Sequence, residues 1–146
     1  MSSYVAEEVA EYLGGRRVLS RTVESDFDLM SLVQDRVPVE AIQAVTEAAI
    51  LDSEEIYELV VPRRTLSKRR STTGRLTTEE SDRLVRVVRI IALARETFQN
   101  AGKSAGWLRR ANRSLGGRRP IDLLKTDNGS RLVEAVLGRI GYGVYS

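Results

Sequence analysis

Apolar residues recur at helical spacing along almost the whole chain, and no stretch alternates with the period of a strand. Val5, Val9 and Leu13 stand four apart and predict a first helix, ended by Gly14-Gly15. A polar link runs from Arg16 to Ser25. Asp26 is placed to cap a second helix that turns Phe27, Met30 and Val33 inward. Pro38 suits the first turn of a third, whose inward stripe is Ile42, Val45 and Ala49. The segment LDSEEIYELVVPRRTLSKRR, from Leu51 to Arg70, then predicts two short helices joined tightly. Ser53 caps the first, Ile56, Leu59 and Val60 form its buried face, and Pro62 reopens the second.

Thr77 and Glu80 make a capping box for the longest helix, Thr78 to about Gln99, with an apolar stripe of Leu84, Val87, Val88, Ile91, Ala94 and Phe98. Arg83, Arg86 and Arg89 fall on another side. Asn100, Gly102 and Ser104 break the pattern. Beyond them come a short helix around Ala105 to Arg110, a Leu115-Gly116-Gly117 turn, and a helical turn opened by Pro120. Thr126 to Ser130 supplies caps for a last helix with Val133, Val136, Leu137 and Ile140 inward. The predicted fold class is all-α. The close pair around Pro62 reads as a helix-turn-helix unit, followed by a small C-terminal helical subdomain.

Composition narrows the chemistry. The 146 residues are enough for one core or two small subdomains. They include neither cysteine nor histidine, which removes disulfides, thiolates, the commonest metal ligand and the commonest general base. The acidic, amphipathic start is unlike a secretory leader, and the longest apolar run, Ile90 to Ala94, is far too short for a bilayer. A cytoplasmic protein that does not engage a membrane is the expectation. Charge is strongly polarised. Residues 1–58 hold 4 basic and 13 acidic side chains, net −9, and residues 59–146 hold 19 and 7, net +12. Such asymmetry points the second half toward a polyanion or an acidic protein.

Two basic runs carry that charge. The first, Arg63, Arg64, Lys68, Arg69, Arg70 and Arg75, has no acid between Glu58 and Glu79. Arginine grips phosphate with a planar fork, and six phosphate contacts would give a log–log salt slope of roughly −5. With Thr65 and Ser67, the residues Arg63 to Arg70 are the candidate duplex-DNA contacts. The second run holds Lys103, Arg109, Arg110, Arg113, Arg118 and Arg119. Its Gly116-Gly117 lacks the lysine-serine/threonine ending and preceding strand of a phosphate loop, and a tight turn accounts for it better. Trp107 reads as a core anchor, and Glu54/Glu55 and Glu79/Glu80 as first-turn complements to the helix dipole. No catalytic, metal or cofactor constellation emerges. The tail Gly141-Tyr142-Gly143-Val144-Tyr145-Ser146 offers close backbone approach and polar-tipped aromatic anchors to a partner.

These pieces, in this order, resemble the Xre/MbcA/ParS family of antitoxins. The resemblance rests on PRRTLSKRR at Pro62 to Arg70, GRLTTEESDRL at Gly74 to Leu84, Trp107-Leu108, LGGRRPIDLL at Leu115 to Leu124, TDNG at Thr126 to Gly129, and the closing GYGVYS. It covers roughly Arg36 to Ser146. It implies three regions: an N-terminal extension over 1–35, an Xre-like helix-turn-helix over 36–102 and a toxin-binding region over 103–146. It further implies a homodimer within a toxin–antitoxin assembly, operator DNA as one partner, and a RES-domain toxin that consumes NAD, or transfers ADP-ribose in some relatives, as the other. The toxin-facing residues would then be Trp107, Arg109, Arg110, Arg118, Arg119 and Gly141 to Ser146, the last six covering the toxin's active-site entrance. A stand-alone helix-turn-helix transcriptional regulator is the alternative, and an enzyme is disfavoured.

Overall fold

Nine α-helices and two short 3-10 helices account for the regular structure of residues 3–143, the part that the computed structural model describes. Among the described residues the only strand-like pairings are isolated bridges, Pro38 with Arg75 and Asn112 with Arg118. The all-helical expectation holds. The chain divides into two compact units between Val88 and Arg89, a boundary inside the longest helix.

The first unit opens with α1 (Ser3–Tyr12), which buries Val5, Ala6 and Val9 and leads to buried Leu13. Gly14 turns the chain at φ +108°, and a Cβ there would strike the Val18 side chain, so only glycine fits. A short helix, α2 (Gly15–Leu19), forms where the sequence suggests a polar link. Its one buried residue, Leu19, is too weak a pattern to announce a helix. In α3 (Asp26–Gln34) the cap is Ser25, whose hydroxyl accepts from the Asp28 amide at 3.1 Å, and not Asp26. The buried face is Leu29 and Leu32, whereas Phe27 and Met30 stand 69% and 46% exposed. Both apolar pairs have i, i+3 spacing, and only tertiary packing chooses between them.

Helix α4 (Glu40–Glu47) buries Ala41, Ile42 and Val45, but Ala49 lies beyond its end, exposed at φ +56°. Ile50 and Leu51 fill the core in its place. Helix α5 (Ser53–Leu59) is capped by Asp52 and not Ser53. The Asp52 carboxylate accepts from the Glu55 amide at 2.8 Å, and the Glu55 carboxylate from the Asp52 amide at 3.0 Å. Buried Val60 and Val61 make the turn into α6 (Arg63–Ser71), with Pro62 extended at its N-cap and Leu66 as its buried anchor. The chain then returns beside residues 37–39: the Leu76 amide donates to the Val37 carbonyl (2.9 Å) and the Val39 amide to that of Gly74 (3.0 Å). Buried Ser81 accepts from the Val37 amide at 2.8 Å, which explains a polar side chain in the core.

Helix α7 (Thr78–Phe98) begins with the expected box: the Glu80 amide donates to Thr77 Oγ1 (3.1 Å) and the Thr77 amide to Glu80 Oε1 (2.8 Å). Leu84, Val87 and Val88 are buried in the first unit; Ile91 and Ala94 belong to the second and are buried there. In the second unit α8 (Ala101–Leu108) starts four residues earlier than its apolar pattern suggests. Asn100 caps it, accepting from the Lys103 amide at 2.8 Å. The 3-10 helices Arg113–Leu115 and Pro120–Lys125 lead to α9 (Asp127–Gly141), capped by Thr126, which buries Val133, Val136 and Leu137 while Ile140 is only half-buried. Gly129 is required by packing, because a Cβ there would collide with the Leu123 carbonyl oxygen.

Candidate functional site

Two surfaces, one in each unit, hold the residues singled out from the sequence. In the first unit, Leu66 anchors α6 and forces its remaining side chains outward. Arg63, Arg64, Ser67, Lys68 and Arg70 are exposed and Thr65 is half-buried. Arg63, Arg64, Lys68 and Arg70 have no side-chain partner among the described residues. Four unpaired cations on nine residues repel one another, and the first turn of α6 has neither an acid nor a side-chain cap for its amides. Phosphate groups would complement both deficits.

Arg69 is different in kind. Its Nε and Nη2 donate to the two carboxylate oxygens of Glu80, each at 3.0 Å, and its exposure is lower than its neighbours'. Glu80 is only 5% exposed. Burial alone would push its carboxyl up, but the Arg69 hydrogen bonds, with help from Thr77, hold it below the ordinary range. The Glu80 carboxylate in turn raises the Arg69 guanidinium, chiefly by hydrogen bonding. The pair ties the end of α6 to the start of α7. Arg75 is also engaged, donating to the Arg36 carbonyl at 2.7 Å. Three arginines of α7 have partners too: Arg83 with the Val60 carbonyl, Arg86 with Asp82, and Arg89 with Glu134.

In the second unit, Trp107 is half-buried and packs on Phe98, with ring centroids 5.6 Å apart and planes tilted by 46°. Arg109 donates to the Ala105 carbonyl at 3.3 Å, and the Arg110 guanidinium folds back over Gly106. The Gly116-Gly117 pair closes a tight turn at φ +67° and +78°, where the Asn112 amide donates to the Arg118 carbonyl at 2.9 Å. Open space surrounds both glycines, so backbone angle alone demands them. Arg119 forks onto Asp122 at 2.9 and 2.7 Å, and those hydrogen bonds lower the Asp122 carboxyl. Arg110, Arg113 and Arg118 are exposed. Gly141, Tyr142 and Gly143 end α9 in solvent, Tyr142 at 89% exposure, while Val144, Tyr145 and Ser146 lie outside the described residues. Two features escape a reading of the sequence: the partner of Arg69, and exposed Leu132 on α9, which shows only once the buried face is known.

A basic helix-turn-helix and a second helical unit with an open basic and apolar surface define a class of binding protein. Among the described residues no three potential metal-binding side chains cluster, and no helix is long and apolar enough to cross a membrane. Residues 28–89 match the antitoxin Xre-like helix-turn-helix domain, and residues 93–143 match the antitoxin Xre/MbcA/ParS C-terminal toxin-binding domain. The chain is 34% identical over 122 residues to an antitoxin Xre of Pseudomonas putida, covering 82% of this chain and 76% of that one. It is 37% identical over 100 residues to an antitoxin Xre of Yersinia enterocolitica, covering 68% of each. A Sphingobium protein named Prs ADP-ribosylating antitoxin is 24% identical over 132 residues, covering 84% and 83%. The chain belongs to the Xre/MbcA/ParS family of antitoxins.

Proposed function

We propose that this antitoxin neutralises a RES-domain, NAD-consuming toxin by covering its active-site entrance, and binds its operator as a homodimer within the toxin–antitoxin complex. The reading supposes a binding protein without catalysis of its own. The observation that carries it is the division of labour along the chain. One unit bears a helix with unpaired cations suited to phosphate, and the described part of the other, matching a toxin-binding domain, closes with an exposed Gly-Tyr-Gly segment. Arg63, Arg64, Lys68 and Arg70 meet phosphates or guanine edges, with Thr65 and Ser67 beside them. Arg69 holds the helix at its angle. Trp107, Arg109, Arg110, Arg118, Arg119 and Gly141 to Ser146 form the toxin-facing side.

Co-expression with the RES-domain product of an adjacent gene, followed by co-purification and native mass measurement, tests this. A stable hetero-oligomer that shifts its own promoter fragment supports the proposal. A chain that purifies alone and regulates unaided would favour a stand-alone regulator. The name of the Sphingobium relative favours a second reading of the partner's chemistry, ADP-ribose transfer. Loss of NAD without modified protein supports consumption, and modified protein supports transfer.

A further inference from the structure

Leu132 and Tyr142 are the only large apolar side chains standing exposed in the described part of the second unit, at 58% and 89%. Leu132 lies on α9 and Tyr142 at its C-cap, positions i and i+10, with exposed Ala135 at i+3 and Arg139 at i+7 between them. This spacing follows one line along a helix, on a side turned away from the buried Val133 and Leu137 and bordered by buried Val136. Exposed Gly138 sits at the edge of the line. Glycine weakens a helix interior, and at Gly129 close packing offsets that, but a Cβ at Gly138 would meet nothing within 4 Å. Nothing among the described residues accounts for the missing side chain.

We propose that this outward strip of α9, Leu132, Ala135, Gly138, Arg139 and Tyr142, is the surface the toxin seats on, with the helix backbone approached closely at Gly138. The inference rests on the toxin reading above and adds the face and its chemistry: an apolar socket for Leu132 and Tyr142 rimmed by a carboxylate for Arg139. The toxin-binding family match spans all of α9, and the strip runs directly into the tail assigned to the toxin's entrance. A second copy fits poorly. Arg139 has no partner among the described residues, and Arg131 is 76% exposed although it reaches Asp127 at 2.8 Å. A two-fold, antiparallel pairing centred on Ala135 sets Arg131 of each copy against Arg139 of the other.

Full-length Leu132→Glu and Gly138→Leu variants, titrated against the co-purified toxin, test the assignment. Thermal unfolding and operator affinity are measured in parallel. Each variant is expected to weaken toxin binding tenfold or more, with operator affinity unchanged and the melting temperature not lowered. Leucine favours helix, so Gly138→Leu fills space without unwinding α9. Wild-type toxin affinity in both folded variants overturns the proposal. So does a change in the mass of the antitoxin alone with toxin affinity intact, which marks the strip as a self-association surface. If the wild-type chain does not bind the toxin at all, the toxin reading itself fails and this one with it.

Discussion

Arg69, near the end of α6, and Glu80, in the first turn of α7, are joined by two parallel hydrogen bonds of 3.0 Å, with the carboxylate almost wholly buried. The most central arginine of the basic run is thereby withdrawn from the surface that its neighbours form. A bidentate fork fixes angle as well as distance, so the pair sets how α6 is presented.

Salt dependence separates the two kinds of arginine. Alanine at Arg63, Arg64, Lys68 or Arg70 should lower operator affinity and flatten the log–log salt slope by about 0.9 for each phosphate no longer neutralised. Arg69→Ala should lower affinity and leave the slope unchanged. Anisotropy titrations across salt concentrations read both quantities. A slope flattened by a full unit in Arg69→Ala would place that side chain on the DNA after all.

Acid stability should depend on Glu80. Its carboxyl is held below the ordinary range when folded, so the folded chain binds that proton less readily than the unfolded one. The resulting stabilisation is complete above the unfolded pKa of about 4.3 and drains away as pH falls through the lower folded value. The gap in melting temperature between wild type and Glu80→Gln should therefore be widest near neutrality and narrow at pH 3. A gap that stays constant with pH would show that ionised Glu80 contributes nothing to the fold.

Gly129 should resist every substitution. Alanine there drives its Cβ into the Leu123 carbonyl, in the 3-10 helix that precedes α9, and overpacking of this kind costs about 1–3 kcal/mol. Gly138→Ala, with open space around it, should be neutral or stabilising by about 0.5–1 kcal/mol. Denaturant unfolding of the two variants measures the contrast, and equal stabilities would contradict the packing described for α9.

Much of this is readable from residue order. The Thr77–Glu80 box, the Gly14 stop, the Pro62 restart and the buried stripe of α9 follow from local chemistry, which sequence states directly. Tertiary packing decides the rest. Phe27/Met30 and Leu29/Leu32 are equivalent by spacing, and the core takes the leucines. Asp52 prevails over Ser53 as cap because Glu55 stands three residues after it and can return the bond. Helix α2 carries a single buried residue, too little periodicity to register. The basic run is visible, but the exception within it is not: Arg69 and Glu80 are eleven residues apart and meet only after the chain doubles back.

The claim that the C-terminal end stops the toxin by covering its active site is tested most directly by the rate of NAD loss with purified toxin. Full-length chain and a chain lacking Gly141 to Ser146 are compared at equal concentration. The full-length chain should suppress the reaction, and the shortened one should leave the toxin largely active while shifting operator DNA as before. Equal suppression by both would contradict the account.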